Sequence, residues 1–117
     1  MRSCLLACLL LVVPAAKAIT PDAREFLEIA KQLEPLHCEK RKLRREIAMA
    51  EAESRAEDAR VLKRRFAALD RDPKTSHLEK RLAVLEARIL DSQGKARHAE
   101  DLDAISFRHR EAYYRCE

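Results

Sequence analysis

Two cysteines far apart in the sequence, both expected toward the same end of the folded molecule, are the residues best placed to form a covalent cross-link. Cys38 and Cys116 are the cysteines that remain when the first 18 residues are set aside. In an oxidising compartment, an even pair of this kind is more often a disulfide than two free thiols. We therefore predict a Cys38–Cys116 bond within one chain, with a bond between two chains as the alternative.

Two histidines are the other candidates for chemistry at this end of the molecule. An antiparallel helical register about a turn at residues 70–76 brings His37 level with His109, beside Cys38. Imidazole and thiolate groups are typical ligands of Zn²⁺ and copper. The chain has no paired ligand spacing such as CxxC or HxxxH, so we predict no metal site and no cofactor. Metal binding or sensing by His37 and His109 is a minor alternative.

A basic run follows the first of these cysteines and contains Lys40, Arg41, Lys42, Arg44 and Arg45. Such a cluster can bind lipid head groups, anionic envelope polymers or nucleic acid by neutralising their charge. Because no aromatic residue is interleaved for base stacking, we do not expect nucleic acid as a partner. Our main interpretation is a solvated helix face opposite Glu100, Asp101 and Asp103. Binding to an anionic surface, including a membrane surface, is the alternative.

Large apolar side chains are expected at the open end of the predicted helix pair, and they are Phe26, Leu27, Phe107, Tyr113 and Tyr114. In one interpretation they pack against each other and close that end. In the other they form an apolar docking patch, because Tyr and Phe are favoured at the centres of protein interfaces. They are therefore our candidates for binding a partner protein.

The acidic and basic residues do not form a pattern typical of an active site. They are spread along helical segments, and the single glycine excludes a glycine-rich phosphate loop. A narrow helical stripe also cannot exclude water from a reaction centre. We therefore predict a protein without enzymatic activity.

The first 18 residues are typical of a cleaved export signal. They have a basic start, a 10-residue apolar run from Cys4 to Val13, and small residues leading to Ala18. The run is shorter than the ~20 residues that a spanning helix needs, so a retained anchor is the alternative. A lipoprotein cleavage before Cys8 is disfavoured, since almost no hydrophobic segment would precede it. We predict a periplasmic or secreted protein.

Removal of this signal takes away two basic residues and no acidic one, so the formal net charge falls from +4 to +2. The overall charge therefore gives little reason to expect a polyanionic partner. What remains is rich in Ala, Leu, Glu, Arg and Lys, which favour helices. We predict an all-α protein. A short amphipathic helix within residues 19–34 begins after the N-cap Thr20 and is ended or kinked by Pro35.

Residues 35–117 are predicted to form a long, coiled-coil-like antiparallel helical hairpin with its turn near residues 70–76. Pro73 marks the bend, and Ser76 with Glu79 matches a capping box for the second long helix. Gly94 kinks this second helix or divides it in two. In the resulting register, paired residue numbers sum to about 146. Cys38 and Cys116 are then offset by about two helical turns.

A single helical hairpin buries only a narrow stripe, so it needs further packing. Either the N-terminal helix completes a three-helix core at the open end, or two hairpins associate into a four-helix bundle. We predict a non-enzymatic protein–protein interaction module that binds another envelope or secreted protein by helix-face packing. A homodimer is possible.

Overall fold

The structure is a computed structural model and describes residues 18–116. It confirms the all-helical class with four helices, which are α1 Pro21–Ala52, α2 Ala56–Leu69, α3 Pro73–Ile89 and α4 Ala99–Arg115. Within residues 18–116 there is no strand. None of the helices there is both long enough and apolar enough to span a bilayer. Apart from Ala18, the predicted signal segment lies outside the described residues.

The first helix continues through Pro35, where we predicted that it would end or kink. A proline inside a helix loses one backbone hydrogen bond and its ring crowds the preceding turn, which costs ~3 kcal/mol. Here Pro35 is exposed, while Leu33 and Leu43 on either side of it are fully buried. Packing on both sides therefore holds α1 together across the proline. The short helix at residues 19–34 is the first half of a 32-residue helix.

The chain first reverses direction at residues 53–55, inside the segment predicted to be one helix from residue 36 to 69. Ser54 adopts a positive φ of 57°, and the Arg55 N–H donates to the Ala50 carbonyl at 2.8 Å. Glu53 and Ser54 thus close the end of α1 in a tight turn. Polar residues in the middle of the predicted stripe, which include Ser54, mark this turn rather than a weak stretch of helix.

The segment at residues 70–76 does not reverse the chain, contrary to our prediction. Both α2 and α3 run antiparallel to α1, so α3 continues in the direction of α2. The ion pairs that show this are Lys63–Glu51 and Lys40–Asp70 for α2, and Arg81–Glu25 and Arg88–Asp22 for α3. The predicted register, in which paired numbers sum to about 146, is therefore wrong.

The start of α3 also differs from the predicted capping box. The helix begins at Pro73, and the Asp72 carboxylate accepts a hydrogen bond from the Lys74 N–H at 3.0 Å. Asp72 before Pro73 is a stronger N-terminal signal than Ser76, because it combines a carboxylate cap with proline at the first helical position. Glu79, the other half of the predicted box, bonds to His37 instead.

The second reversal lies at residues 90–98, where Gly94 divides the predicted long helix in two. Gly94 has a φ of +74°, a conformation that glycine adopts without strain. The Asp91 carboxylate accepts from the Gln93 and Lys95 N–H groups, both at 2.9 Å. After this turn α4 runs parallel to α1. Pro73 was the more conspicuous break in the sequence, but Gly94 is where the chain turns back.

The core lies where the first half of α1 packs against α3 and α4. Its fully buried members are Ala23, Phe26, Ile29, Leu33, Leu85 and Ile89. We call this three-helix region the base. It differs from the predicted core, in which a separate N-terminal helix packed on the open end of a single hairpin. Residues 36–70 extend from the base as two antiparallel helices, the second half of α1 and α2, and we call them the arm.

One acidic side chain, Asp101, is as buried as the apolar core, with 1% of its surface exposed. Its carboxylate accepts from the Thr20 backbone N–H at 2.9 Å and from the Thr20 hydroxyl at 2.6 Å. The same hydroxyl accepts from the Ala23 N–H at 3.3 Å and caps α1. Asp101 therefore joins the start of α4 to the start of α1. We had predicted that it would lie opposite the basic run.

Replacing Asp101 by alanine is expected to destabilise the protein by about 2 kcal/mol, because two partly buried donors on Thr20 lose their charged acceptor. The change is measured by urea unfolding followed by circular dichroism. Asp103→Ala is the matched control, since Asp103 is exposed on the same helix. A loss from Asp101→Ala no larger than that of the control would contradict this role.

Candidate functional site

The end of the base nearest the arm carries the cysteine pair. Cys38 lies in α1 and Cys116 is the C-cap of α4. Their sulfur atoms are at disulfide-bonding distance within one chain, and their Cα atoms are 5.5 Å apart. The offset of two turns in the predicted register does not arise, because α4 runs parallel to α1 rather than continuing α3.

Beside this pair is a groove of about 500 Å³ formed mainly by α1 and α4. Its apolar surface comes from Ala30, Leu82 and Ala112, and its polar rim includes His37 and His109. The predicted pairing of the two histidines was based on a wrong register, yet both line this groove. Several of the site residues predicted from the sequence therefore come together in this groove.

The charged lining of the groove is predominantly basic. Arg41, Arg44 and Arg108 line it, and Glu34 is its only acidic lining residue. Glu34 is already engaged, because it accepts from Arg108 at 2.9 Å and from two nitrogens of Arg115 at 2.8 and 3.1 Å. The groove therefore presents more positive charge than its own carboxylate can neutralise.

Arg41 is the residue whose hydrogen bonding is incomplete. Its Nη1 atom is buried and has no hydrogen-bond partner among the described residues. The guanidinium lies 5.1 Å from the centroid of the Tyr113 ring, a cation–π distance. A buried donor without an acceptor costs about 1–3 kcal/mol.

The five residues of the predicted basic cluster do not form one surface. Lys40 pairs with Asp70, and both Lys40 and Arg44 lie over the Phe66 ring at 5.7 and 5.4 Å. Arg41 and Arg44 line the groove. In contrast, Lys42 and Arg45 make no ion pair within residues 18–116. Successive residues point around a helix at about 100° intervals, so a contiguous basic run covers several faces.

Each histidine contacts a side chain of another helix. His37 Nε2 lies 2.6 Å from a carboxylate oxygen of Glu79. The His109 ring is tilted against Phe26, with their centroids 6.4 Å apart. In the part of the chain that the structure describes, no group of three or more His, Cys, Asp or Glu side chains could hold a metal ion. The geometry adds no observation in favour of the metal alternative.

The predicted aromatic and apolar patch separates into buried and exposed members. Phe26 is 5% exposed and belongs to the core, and Leu27 is half-buried. Phe26 is thus unavailable for docking. In contrast, Phe107, Tyr113 and Tyr114 are 56%, 60% and 76% exposed. The two tyrosine rings meet edge to face with centroids 5.6 Å apart. Exposed aromatic surface thus comes from α4, beside the groove.

The ion pairs of Glu34 were not predicted from the sequence. Arg108 and Arg115 are one heptad apart and share a face of α4, and that spacing is the signal that could have revealed them. The hydrogen bond from Arg115 lowers the pKa of the Glu34 carboxyl below its ordinary value of 4.5; desolvation opposes this, and the charges of Arg115 and Arg108 reinforce it. The contact between α4 and α1 should therefore weaken when Glu34 is protonated at low pH.

We expect the melting temperature to fall as the pH drops below 4.5. A carboxyl whose pKa is lower in the folded state stabilises that state above its unfolded pKa, and the contribution is lost as the pH falls through the folded pKa. The melting temperature of the Glu34→Gln variant should fall less steeply with decreasing pH than that of the unchanged protein. The measurement is thermal unfolding followed by circular dichroism from about pH 7 to about pH 3.

Glu25→Gln provides the comparison, because a hydrogen bond from Arg81 lowers the pKa of Glu25 as well, at the other end of the base. Each single variant should remove part of the acid sensitivity, and the double variant should remove more than either. Identical pH profiles for Glu34→Gln and the unchanged protein would show that Glu34 is not involved.

Comparisons of the chain with protein-family models, with curated proteins and with solved structures give no match. The class of protein is therefore defined by its architecture, an all-helical chain with helices packed around α1.

Proposed function

We propose that the protein is an exported, non-enzymatic interaction module that binds an acidic segment of another envelope or secreted protein in the groove beside Cys38 and Cys116. The observation that carries the proposal is the charge of the groove, which is lined by three arginines and whose described carboxylate, Glu34, is already engaged by Arg108 and Arg115. A partner carboxylate would neutralise the excess positive charge.

The apolar part of the groove favours a helical or extended peptide over a small inorganic anion. Ala30, Leu82 and Ala112 provide a non-polar floor beside the arginines. Tyr113 lines the groove as well, and its ring meets that of Tyr114 edge to face. A segment that carries leucine or valine next to glutamate or aspartate would match both features. Central aromatic and arginine residues are also those that contribute most to protein interfaces.

The test is the binding of a fluorescently labelled helical peptide with leucine and glutamate on the same face, followed by anisotropy. Arg41→Glu with Arg44→Glu should weaken binding roughly tenfold or more, because two charge-assisted contacts become repulsive. Lys42→Glu with Arg45→Glu is the matched control. It makes the same change in charge on the same helix but outside the groove, and it should leave binding nearly unchanged.

A similar loss in both double variants would contradict the proposal, because it would indicate attraction to the general charge of the helix. A peptide with glutamine in place of glutamate should bind weakly to all three proteins. If it binds as well as the acidic peptide, charge recognition in the groove is excluded.

Export to the periplasm or the exterior is part of the proposal and is supported by the signal-like first 18 residues and by the close cysteine pair. Mass spectrometry of the protein from its own cell should find an N-terminus at Ile19 and a mass two hydrogens below that of the dithiol. A chain that begins at Met1 with free thiols would contradict export.

The second candidate is binding to an anionic surface, such as lipid head groups or an envelope polymer. It is favoured by Lys42 and Arg45, which make no ion pair among the described residues. In this case binding to vesicles rich in phosphatidylglycerol should be strongly salt-dependent and should be lost in Arg44→Glu with Arg45→Glu. Binding that does not change with salt would exclude it.

A further inference from the structure

The arm has one face that the other residues of the segment 18–116 leave uncovered. Between its two helices, only Leu43, Ala50 and Ala59 are fully buried. On one side of the arm, Met49 and Val61 are 53% and 40% exposed. They line a shallow depression together with Leu62 and with three charged residues, Glu46, Arg55 and Asp58. A pair of helices that buries so little is marginally stable by itself, and apolar side chains in a helix groove favour packing by further helices.

Charge is distributed unequally along the arm. Residues 46–62, the half that ends in the tight turn, contain five acidic and two basic side chains, a net charge of −3. Residues 36–45 and 63–70, the half next to the base, contain eight basic and two acidic side chains, a net charge of +6. The uncovered apolar residues lie near the boundary between the two halves. The arm therefore has an acidic end, an apolar middle and a basic end.

We infer that this face binds a second copy of the same chain, with the two arms side by side and antiparallel. A two-fold symmetric contact uses the same patch on both copies, and every contact in it occurs twice. In the antiparallel arrangement, the acidic end of each arm lies against the basic end of the other. A parallel arrangement would place basic on basic and acidic on acidic, which is unfavourable. The charge distribution thus selects both the partner and the direction.

The same arrangement matches individual residues. If the two-fold axis passes beside Met49, Arg45 of one copy comes level with Glu53 of the other, since each is four residues from the axis. In α2 the axis then falls between Val61 and Leu62. The four helices form an antiparallel bundle whose added core consists of the apolar residues that are exposed in a single chain. Arg45, which has no ion pair within residues 18–116, gains a carboxylate that in the single chain pairs with Arg55.

This contact is separate from the proposed function. The groove beside the cysteines and the uncovered face of the arm have no lining residue in common. Either could fail without the other, because self-association and binding of an acidic peptide are measured independently.

The first test is sedimentation equilibrium of the purified protein. We expect a dimer at concentrations of about 0.1 mM that weakens as salt is raised. Met49→Glu with Val61→Glu should make the protein monomeric. Val84→Glu is the control, since Val84 is 45% exposed on α3, away from the arm, and this variant should remain dimeric. Circular dichroism shows whether each variant keeps its helix content. A monomeric unchanged protein would overturn the inference.

The second test concerns direction. Arg45→Glu should weaken the dimer by roughly tenfold or more, and adding Glu53→Arg should restore it, because the exchanged charges again oppose each other across the axis. A parallel dimer would not be restored, since residue 45 would then lie beside residue 45. Failure of the double exchange would overturn the antiparallel arrangement. A dimer that disappears on reduction would also overturn the inference, because it would be a product of disulfides between chains.

Discussion

Removing the Cys38–Cys116 link is expected to lower the free energy of unfolding by about 4 kcal/mol and the melting temperature by roughly 15–30 °C. The cysteines are 78 residues apart, so the bond restricts a long loop in the unfolded chain. α4 also depends on this link, because Asp101 is its only fully buried residue among those described. The change is measured by chemical and thermal unfolding of Cys38→Ala with Cys116→Ala.

The control for this prediction is the reductant itself. Reducing the unchanged protein should reproduce the stability of the double alanine variant, and the variant should not respond to reductant. Protease should cleave α4 first in the reduced protein and in the double alanine variant, because α3 and the first half of α1 keep their mutual core. Equal stability with and without reductant would show that the bond does not form in solution.

Leu85→Ala is expected to destabilise the protein by about 3 kcal/mol, within the range of 2–5 kcal/mol for a large buried residue. Leu85 is 0% exposed and lies in the core formed by α3 and the first half of α1. The neighbouring Val84 is 45% exposed on the same helix. Val84→Ala therefore controls for helix propensity and should change stability by less than about 0.5 kcal/mol.

Urea unfolding of these two variants measures the difference directly. If the core lies between α1 and α3, the loss is confined to Leu85→Ala, and the slope of the unfolding curve stays the same in both variants. Similar losses in the two variants would mean that α3 presents a different face to α1.

Helix class and several helix ends could be predicted from the sequence because their causes are local. Thr20 before Pro21 caps α1 as expected, and Gly94 interrupts the last long helical pattern. These features depend on a hydroxyl, a fixed φ or a missing Cβ, all of which are visible in a short stretch of residues. The disulfide-distance pair was also predictable from the number of cysteines.

The path of the chain was not predictable in the same way. Pro35 is a local signal for a helix end, yet packing of Leu33 and Leu43 keeps the helix intact. Pro73 is a local signal for a break, but the direction of the chain after a break depends on which faces become buried. Ser54, a residue with an unremarkable side chain, makes the first reversal. Tertiary packing decided these three outcomes.

Only the part of the candidate site that depends on local spacing could be predicted from the sequence. Arg41, His37 and Cys38 lie close together on one helix, so their neighbourhood follows from spacing alone. Glu34, Arg108 and Asp101 depend on α4 running parallel to α1, which the wrong register excluded. Local arguments thus placed these three residues together, and only the fold shows the groove beside them and which of its charges are satisfied.

The central position of α1 has a consequence for the order in which the molecule opens. Every other helix packs against α1, so the amides in its first half can exchange with deuterium only when the whole base unfolds. The arm is joined to the base by one continuous helix and can open by itself from the turn at Ser54. Hydrogen exchange should therefore separate the amides into two kinetic groups, with the boundary within α1 near Cys38.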